Sequence, residues 1–362
     1  MLETPSIHID TKKLKRNISN MAQTADENGV KLRPHIKTHK MPGIAQEQIE
    51  AGATGIAVAK TTEAEVMAEG GISDIFIAYP VITDAAIDRV LSLNTKTRLI
   101  VGIDSLAGAQ KLSDKAKSAK QNVEVRMEID TGLKRTGVPY EQILDKAQEI
   151  VKYENITLTG IYTFRGAVLK GEPTLDLKSA GYEEGELMVS AAKLLRENGI
   201  DIQDVSIGST PTAKYAAQVE GVTEVRPGTY VFYDRMQAEY RVCDYEDCAA
   251  AVKATIISQP SADLLVIDGG SKTFATDVQP GGKPLYMKGF GSIKGHPEAV
   301  LERMTEEHGM VRVPENSPLR IGDTLDIIPN HICSTINLHN FVYMEEEGET
   351  KKVPVAARGK LQ

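Results

Sequence analysis

Cysteine is scarce in this chain: Cys243, Cys248 and Cys333 are all that its 362 residues contain, and three thiols make no disulfide framework. Long apolar runs are missing as well, none approaching the ~18 residues of a membrane span. The opening stretch "MLETPSIHIDTKKLK" lacks the apolar core of a secretory signal. Basic excess is absent too. With 42 Lys and Arg against 50 Asp and Glu, the formal net charge is −8, and no cationic field exists to release counterions from nucleic acid. No low-complexity tract or internal repeat is found. These absences predict a cytoplasmic protein with neither a nucleic-acid nor a membrane partner.

What is there fits a globular enzyme-sized chain. A hydrophobic content of 41% and a charged content of 25% are ordinary, and the length suits two domains or a barrel with an appendage. β-type runs recur at "VKLRPHI" (30–36), "GIAVAK" (55–60), "DIFIAYP" (74–80) and "TRLIVGID" (97–104). They continue at "VEVRMEID" (123–130), "TLTGIYTF" (157–164), "DVSIGS" (204–209) and "TEVRPGTYVF" (223–232). Helical periodicity fills the spacers; in "YEQILDKAQEIVK" (140–152), Ile143, Leu144, Ala147 and Ile150 share one face. Eight strands alternating with helices predict an α/β fold, a (β/α)8 TIM barrel over residues 11–240, with a doubly wound sheet as the alternative. From about residue 245 the texture changes. Runs from "AAVKATIISQ" (249–258) to "KKVPVAA" (351–357), joined by turns such as "QPGGKP" (279–284), predict a mainly β C-terminal domain over 245–362.

"LRPHIKTHK" (32–40) crowds Lys37, His39 and Lys40 behind a short apolar stretch in an acidic chain. It reads as a solvated basic loop or as a reactive lysine. Near other cations and partly desolvated, a lysine gives up its proton more readily, and its neutral amine forms Schiff bases. Chemistry in a (β/α)8 barrel sits at the C-terminal strand ends. Lys37 follows the first strand, Arg135 the fifth, "GSTPT" (208–212) the seventh, and "RPGTY" (226–230) lies in the eighth, so four unusual segments converge on one rim. Gly208, Ser209 and Thr210, with Gly228 and Thr229, read as a cup for one phosphate or as an ordinary helix cap. Further on, "NHIC" (330–333) sets His331 and Cys333 two residues apart. On a strand both would point to one face, as a shared metal requires, although a buried cysteine beside a satisfied histidine reads the same way. Cys243 and Cys248 have no partner at ligand spacing and read as ordinary residues.

The motifs also carry a resemblance. "TPSIHIDTKKLKRNISNMA" (4–22), "RPHIKTHK" (33–40), "EIDTGLKRTGV" (128–138), "GSTPT", "EVRPGTYVFYD" (224–234), "VIDGGSKTFATD" (266–277), "EEHG" (306–309) and "PNHICSTINL" (329–338) run almost end to end. Together they resemble the D-threonine aldolase/D-serine dehydratase family, fold-type III pyridoxal-phosphate enzymes related to alanine racemase. The resemblance implies a barrel of the alanine racemase N-terminal type in which Lys37 carries pyridoxal 5'-phosphate and Arg135 contacts its phenolic oxygen. Gly208, Ser209, Thr210, Gly228, Thr229 and Tyr230 would surround the phosphate. It also implies a divalent metal on His331 and Cys333, zinc ahead of manganese or magnesium because imidazole with thiolate is a soft pair.

The implied activity is a lyase acting on a small D-amino acid with a 3-hydroxyl group, by dehydration or aldol cleavage, with Cys333 favouring dehydration. A homodimer is implied, and the strand-like "SIHID" (6–10), within residues 1–10, is expected to join the β domain. An amino-acid racemase of the same fold type and a non-catalytic pyridoxal-phosphate carrier are the alternatives. One segment departs from the family pattern of a tyrosine followed by Gly-His after the sixth strand. Here the chain has "YTFRGAVLKG" (162–171), with Phe164, Arg165 and Ala167 and no histidine. Arg165 reads as a bidentate partner for a substrate carboxylate or as an exposed salt bridge.

Overall fold

The computed structural model describes residues 3–362. Its contacts divide the chain into two units. One gathers the residues up to Ile18 with Thr38–Lys40 and Thr229–Arg358; the other gathers Ser19–Lys37, Met41–Gly228 and Gly359–Gln362. The chain begins with β1 (Ser6–Asp10) and α1 (Thr11–Glu27).

The larger unit is a parallel sheet. Its strands are β2 (Lys31–Leu32), β3 (Ile56–Val58), β4 (Asp74–Pro80), β5 (Arg98–Ile103), β6 (Val123–Asp130), β7 (Ile156–Tyr162), β8 (Asp204–Ile207) and β9 (Glu224–Val225). They pair in the order β2–β9–β8–β7–β6–β5–β4–β3. A bridge between His35 and Ala57 joins the two ends of that order, so the sheet curls shut and the doubly wound alternative is excluded. Helices alternate with the strands: α2 (Pro42–Glu50), α3 (Thr61–Glu69), α4 (Asp84–Asn94), α5 (Leu106–Ser118), α6 (Ile143–Ile150), α7 (Leu177–Glu197) and α8 (Ala213–Ala216). The causes are local. Every residue of β5 after Arg98 is buried, the unbroken apolar run of a parallel strand covered on both faces. Helix α4 starts where the Thr83 hydroxyl accepts the Ala86 N–H at 3.4 Å, and it buries Ile87, Val90 and Leu91. In α6, Ile143, Ala147 and Ile150 are buried while Leu144 is only partly covered.

The sheet encloses Ala57, Phe76, Ile100 and Tyr162, with the rings of Phe76 and Tyr162 edge to face at 5.0 Å. The Tyr162 hydroxyl lies against Gly102, where any Cβ would collide with it. Toward the strand starts the filling becomes ionic. Glu224 accepts hydrogen bonds from Arg33 Nε at 2.7 Å, Arg126 Nη1 at 2.6 Å and Ser206 Oγ at 2.5 Å. Arg126 also donates to Asp204 at 2.8 Å, and Arg33 to Asp74 at 2.5 Å. Burial alone would raise the Glu224 carboxyl, but the Arg126 and Arg33 guanidiniums hold it well below the usual carboxylate range.

The other unit is mainly β. Its later strands are β10 (Ala250–Ser261), β11 (Leu264–Ile267), β12 (Gly291–Ile293), β13 (Val300–Met304), β14 (Gly309–Arg312), β15 (Thr324–Pro329), β16 (Phe341–Glu346) and β17 (Glu349–Pro354). The sheet runs β13–β14–β11–β10–β1–β16–β17, with β15 paired to β10 and β12. β1 is interior to it, antiparallel to β10 and parallel to β16. Two short helices, α9 (Arg235–Glu239) and α10 (Ile332–Ile336), belong to the same unit. Among the described residues, no helix is long and apolar enough to cross a membrane.

Candidate active site

In the parallel unit the chain leaves β2, makes the His35 bridge and enters a single turn of 3-10 helix, Ile36–Thr38, that carries Lys37. From Leu32 to Lys40 every residue is buried except Lys37, which is partly exposed. A solvated basic loop is thereby excluded, because His35, His39 and Lys40 are inside the protein. The Lys37 ammonium lies 5.0 Å from the centre of the Phe164 ring, and the exposed Arg135 guanidinium lies 5.1 Å from the same centre. Two cations from different strand ends thus share one aromatic ring.

The turn after β8 holds Gly208, Ser209 and Thr210, all buried, with Gly208 in the left-handed region at φ +84°. The Ser209 hydroxyl pairs with that of Thr212 at 2.9 Å. Thr210 Oγ1 accepts the Gly228 N–H at 3.2 Å, which ties this turn to the segment after β9. Small residues, hydroxyls and backbone N–H groups gathered in one buried corner fit a phosphate group. Beneath the corner lies an acid that sequence reasoning missed. Glu184 of α7 is fully buried; burial pushes its carboxyl up to about 7, against the opposing pull of Arg226 and Arg165.

In the β unit the candidate metal pair does come together, but not on a strand. β15 ends at Pro329; His331 caps α10 and Cys333 lies in its first turn. Proline cannot continue the ladder as a donor, and the buried Asp234 carboxylate accepts the Ile332 N–H at 3.0 Å, fixing the helix start. The Thr335 hydroxyl returns to the His331 carbonyl at 2.9 Å. His331 Nδ1 lies 2.6 Å from Asp277 Oδ2, which leaves Nε2 for a metal. Thr38 Oγ1 stands 3.1 Å and Thr229 Oγ1 3.5 Å from Cys333 Sγ. Burial works against charge on either ligand, yet each favours the charged form of the other. The imidazole is raised well above its ordinary value by the Cys333 thiolate and the Asp277 carboxylate. The thiol is lowered by His331 and by the Thr38 hydroxyl. Among the described residues no third His, Cys, Asp or Glu completes a metal cage. A thiolate and an oriented imidazole with no further protein ligand fit a zinc-like ion that keeps positions open for water and substrate.

Arg165 is neither on the surface nor in an exposed pair. Its side chain is 1% exposed and its Nη2 reaches Glu183 at 2.5 Å. Tyr230 is buried and Thr229 half-buried. Asp234 and Asp277 were passed over in the sequence, although each closes a motif, "EVRPGTYVFYD" and "VIDGGSKTFATD". A carboxylate at a motif's end was the available signal.

Residues 9–236 match the family model of the alanine racemase N-terminal domain, and residues 249–344 that of a putative serine dehydratase domain. The D-threo-3-hydroxyaspartate dehydratase of Delftia sp. (strain HT23) is 33% identical over 92% of this chain and 92% of its own. Its solved structure superposes with a TM-score of 0.89 over 98% of this chain and 97% of that one. A cysteine-to-alanine variant of a D-threo-3-hydroxyaspartate dehydratase, solved in a metal-free form, gives 0.88 at 31% identity over 98% and 97%. The D-threonine aldolase of Arthrobacter sp. is 28% identical over 99% of this chain and 93% of its own. The D-serine dehydratase of Dictyostelium discoideum is 29% identical over 92% and 91%.

Proposed function

Because the chain belongs to the family that joins an alanine racemase N-terminal domain to a serine dehydratase domain, we propose that it is a pyridoxal-phosphate- and metal-dependent lyase of a small D-3-hydroxy amino acid. The observation that carries the lyase over the racemase is the geometry of His331 and Cys333, brought together at the start of α10 with the His331 Nδ1 held by Asp277 at 2.6 Å and Nε2 left for a metal. Removing a proton from Cα gives such a pair nothing to do, whereas expelling a hydroxyl at neutral pH is assisted by a Lewis acid held there. The metal-free cysteine-to-alanine variant of a D-threo-3-hydroxyaspartate dehydratase supports a cysteine in that role.

When bound, pyridoxal phosphate supplies an electron sink at Cα and the metal a Lewis acid at the hydroxyl. The chain's own residues do the rest. Lys37 holds the cofactor and then takes the proton from Cα. Arg135 keeps a positive charge beside the same ring as Lys37. Ser209, Thr210 and the Gly208 and Gly228 backbone receive the phosphate, with Thr229 and Tyr230 at its margin. His331 and Cys333 hold the metal, and Asp277 fixes the imidazole tautomer. The thiolate favours zinc over magnesium, and the cysteine form of the pair favours dehydration, which yields a keto acid and ammonia, over aldol cleavage, which yields glycine and an aldehyde.

The test is turnover of a D-3-hydroxy amino acid panel by the zinc-loaded protein, with ammonia, glycine and racemised substrate scored separately. Ammonia lost on chelation and restored by zinc is the expected result. Racemised substrate alone, indifferent to chelator, overturns the reading.

A further inference from the structure

Arg165 presents an unmet demand. It follows β7 two residues after Thr163, and the intervening Phe164 is the ring shared by Lys37 and Arg135. One guanidinium nitrogen is committed to Glu183, whose Oε2 also accepts the Lys170 N–H at 3.0 Å. The other two, Nε and Nη1, are buried without a hydrogen-bond partner among the described residues. Buried donors of a charged group are rarely left so, because each forfeits its hydration.

The surroundings say what is missing. Glu184, the next residue on α7, turns Oε2 toward the Thr212 hydroxyl at 3.4 Å and leaves Oε1 unpartnered. Thr212 in turn holds Ser209, so Glu184 stands directly behind the turn after β8, within reach of the Arg165 charge. Arg226, also buried, donates to the Ser206 hydroxyl and to the Thr163 carbonyl at 2.5 Å, both neutral acceptors. Arg165 therefore faces the ion-paired Glu183 and the buried Glu184 carboxyl, while Arg226 has Glu224 and Glu184 as its opposite charges. What is missing is an acceptor for the two remaining Arg165 nitrogens, and an anion meets a buried cationic donor better than a water molecule does.

We propose that Arg165 binds an oxyanion brought to the active centre, either the phosphate of the cofactor or a second carboxylate on the substrate. In the second case the preferred substrate is a dicarboxylic D-3-hydroxy amino acid. This rests on the lyase reading above. Either anion would accept from Nε or Nη1 while Glu183 keeps Nη2, so the arginine is fixed in advance and pays little ordering entropy.

The experiment compares wild type, Arg165→Met, Arg165→Lys and Glu183→Gln, all as full chains. One arm titrates the apoproteins with pyridoxal phosphate and with pyridoxal, by absorbance. The other measures kcat/KM for D-3-hydroxyaspartate against D-serine. If the anion is the phosphate, Arg165→Met weakens pyridoxal phosphate binding about tenfold or more and leaves pyridoxal unchanged. If it is the substrate carboxylate, cofactor binding is unchanged and the dicarboxylate preference falls about tenfold or more. Arg165→Lys gives an intermediate loss in the same arm and serves alone should the methionine variant not fold. Glu183→Gln, which still accepts from Nη2, keeps both properties. The proposal is overturned if neither arm moves in a folded Arg165 variant, since the orphan nitrogens then meet only water. It is equally overturned if Glu183→Gln reproduces the losses, since Arg165 is then a structural tie. A wild type that turns over neither amino acid sinks the lyase reading instead and leaves the binding arm legible.

Discussion

Glu224→Gln removes one negative charge from the ionic layer inside the parallel unit and almost nothing else. The carboxylate is fully buried and accepts from Arg33, Arg126 and Ser206 at 2.5–2.7 Å. Glutamine keeps the shape, but its amide can accept for only one guanidinium and must turn an N–H₂ toward the other. One charge-assisted hydrogen bond is lost, worth about 1.5–3 kcal/mol. Arg33 and Arg126 are also left under-neutralised, which brings the expected cost to about 3–5 kcal/mol. At roughly 2–4 °C per kcal/mol for a unit of this size, the melting temperature should fall by on the order of 10 °C. Acid should narrow the difference. The Arg126 and Arg33 guanidiniums hold the folded carboxyl well below the ordinary glutamate range, so its contribution is complete above that range and is lost progressively as pH falls toward the folded value. The gap between wild type and variant should therefore begin to narrow at about pH 4 and keep narrowing toward pH 3. The assay is thermal unfolding by circular dichroism between pH 3 and 7 at matched salt. Melting curves that coincide at pH 7, or a gap that widens in acid, would refute the reasoning.

Lys37→Ala should abolish the visible absorbance of the lysine-bound cofactor, and borohydride reduction of the wild type should label Lys37; a label on Lys40 or Lys60 would contradict the assignment. His331→Ala and Cys333→Ala should each lose bound metal by elemental analysis and lose lyase turnover while keeping the cofactor's colour. Cys333→Asp should shift metal preference toward manganese or magnesium, read as activity after reconstitution with each ion. Asp277→Asn should weaken metal binding by about 10–100-fold in a competition titration, because the imidazole loses its orienting carboxylate.

The strand rhythm was legible because parallel strands covered on both faces leave short unbroken apolar runs, as "RLIVGI" in β5 does. The burial around Lys37 was not legible, since a basic cluster past a strand end reads equally as a solvated loop, and only the fold puts His35, His39 and Lys40 inside. The closeness of His331 and Cys333 was legible only by residue type. Spacing suggested a strand, whereas a proline and the distant Asp234 set a helix start at His331. Asp277 lies far along the chain from His331, and only folding brings them to 2.6 Å. The buried state of Arg165 was invisible for the same reason, because its partner Glu183 lies on a helix the sequence presents as an amphipathic spacer.

The position of β1 has a consequence for how the protein is made. β1 sits in the middle of its sheet, and both its neighbours, β10 and β16, lie far downstream and are translated much later. At about 5–20 residues per second, β1 leaves the ribosome on the order of 15–70 s before β16 does. Through that interval both of its edges stand open, each a template for strands from other chains. β2 meets a shorter version of the same delay, waiting on the order of 10–40 s for β9. Yield in a cell should thus depend on elongation rate and on chaperones that shield nascent strands, and codon choice upstream of β16 becomes as much a lever on recovery as any substitution in the finished molecule.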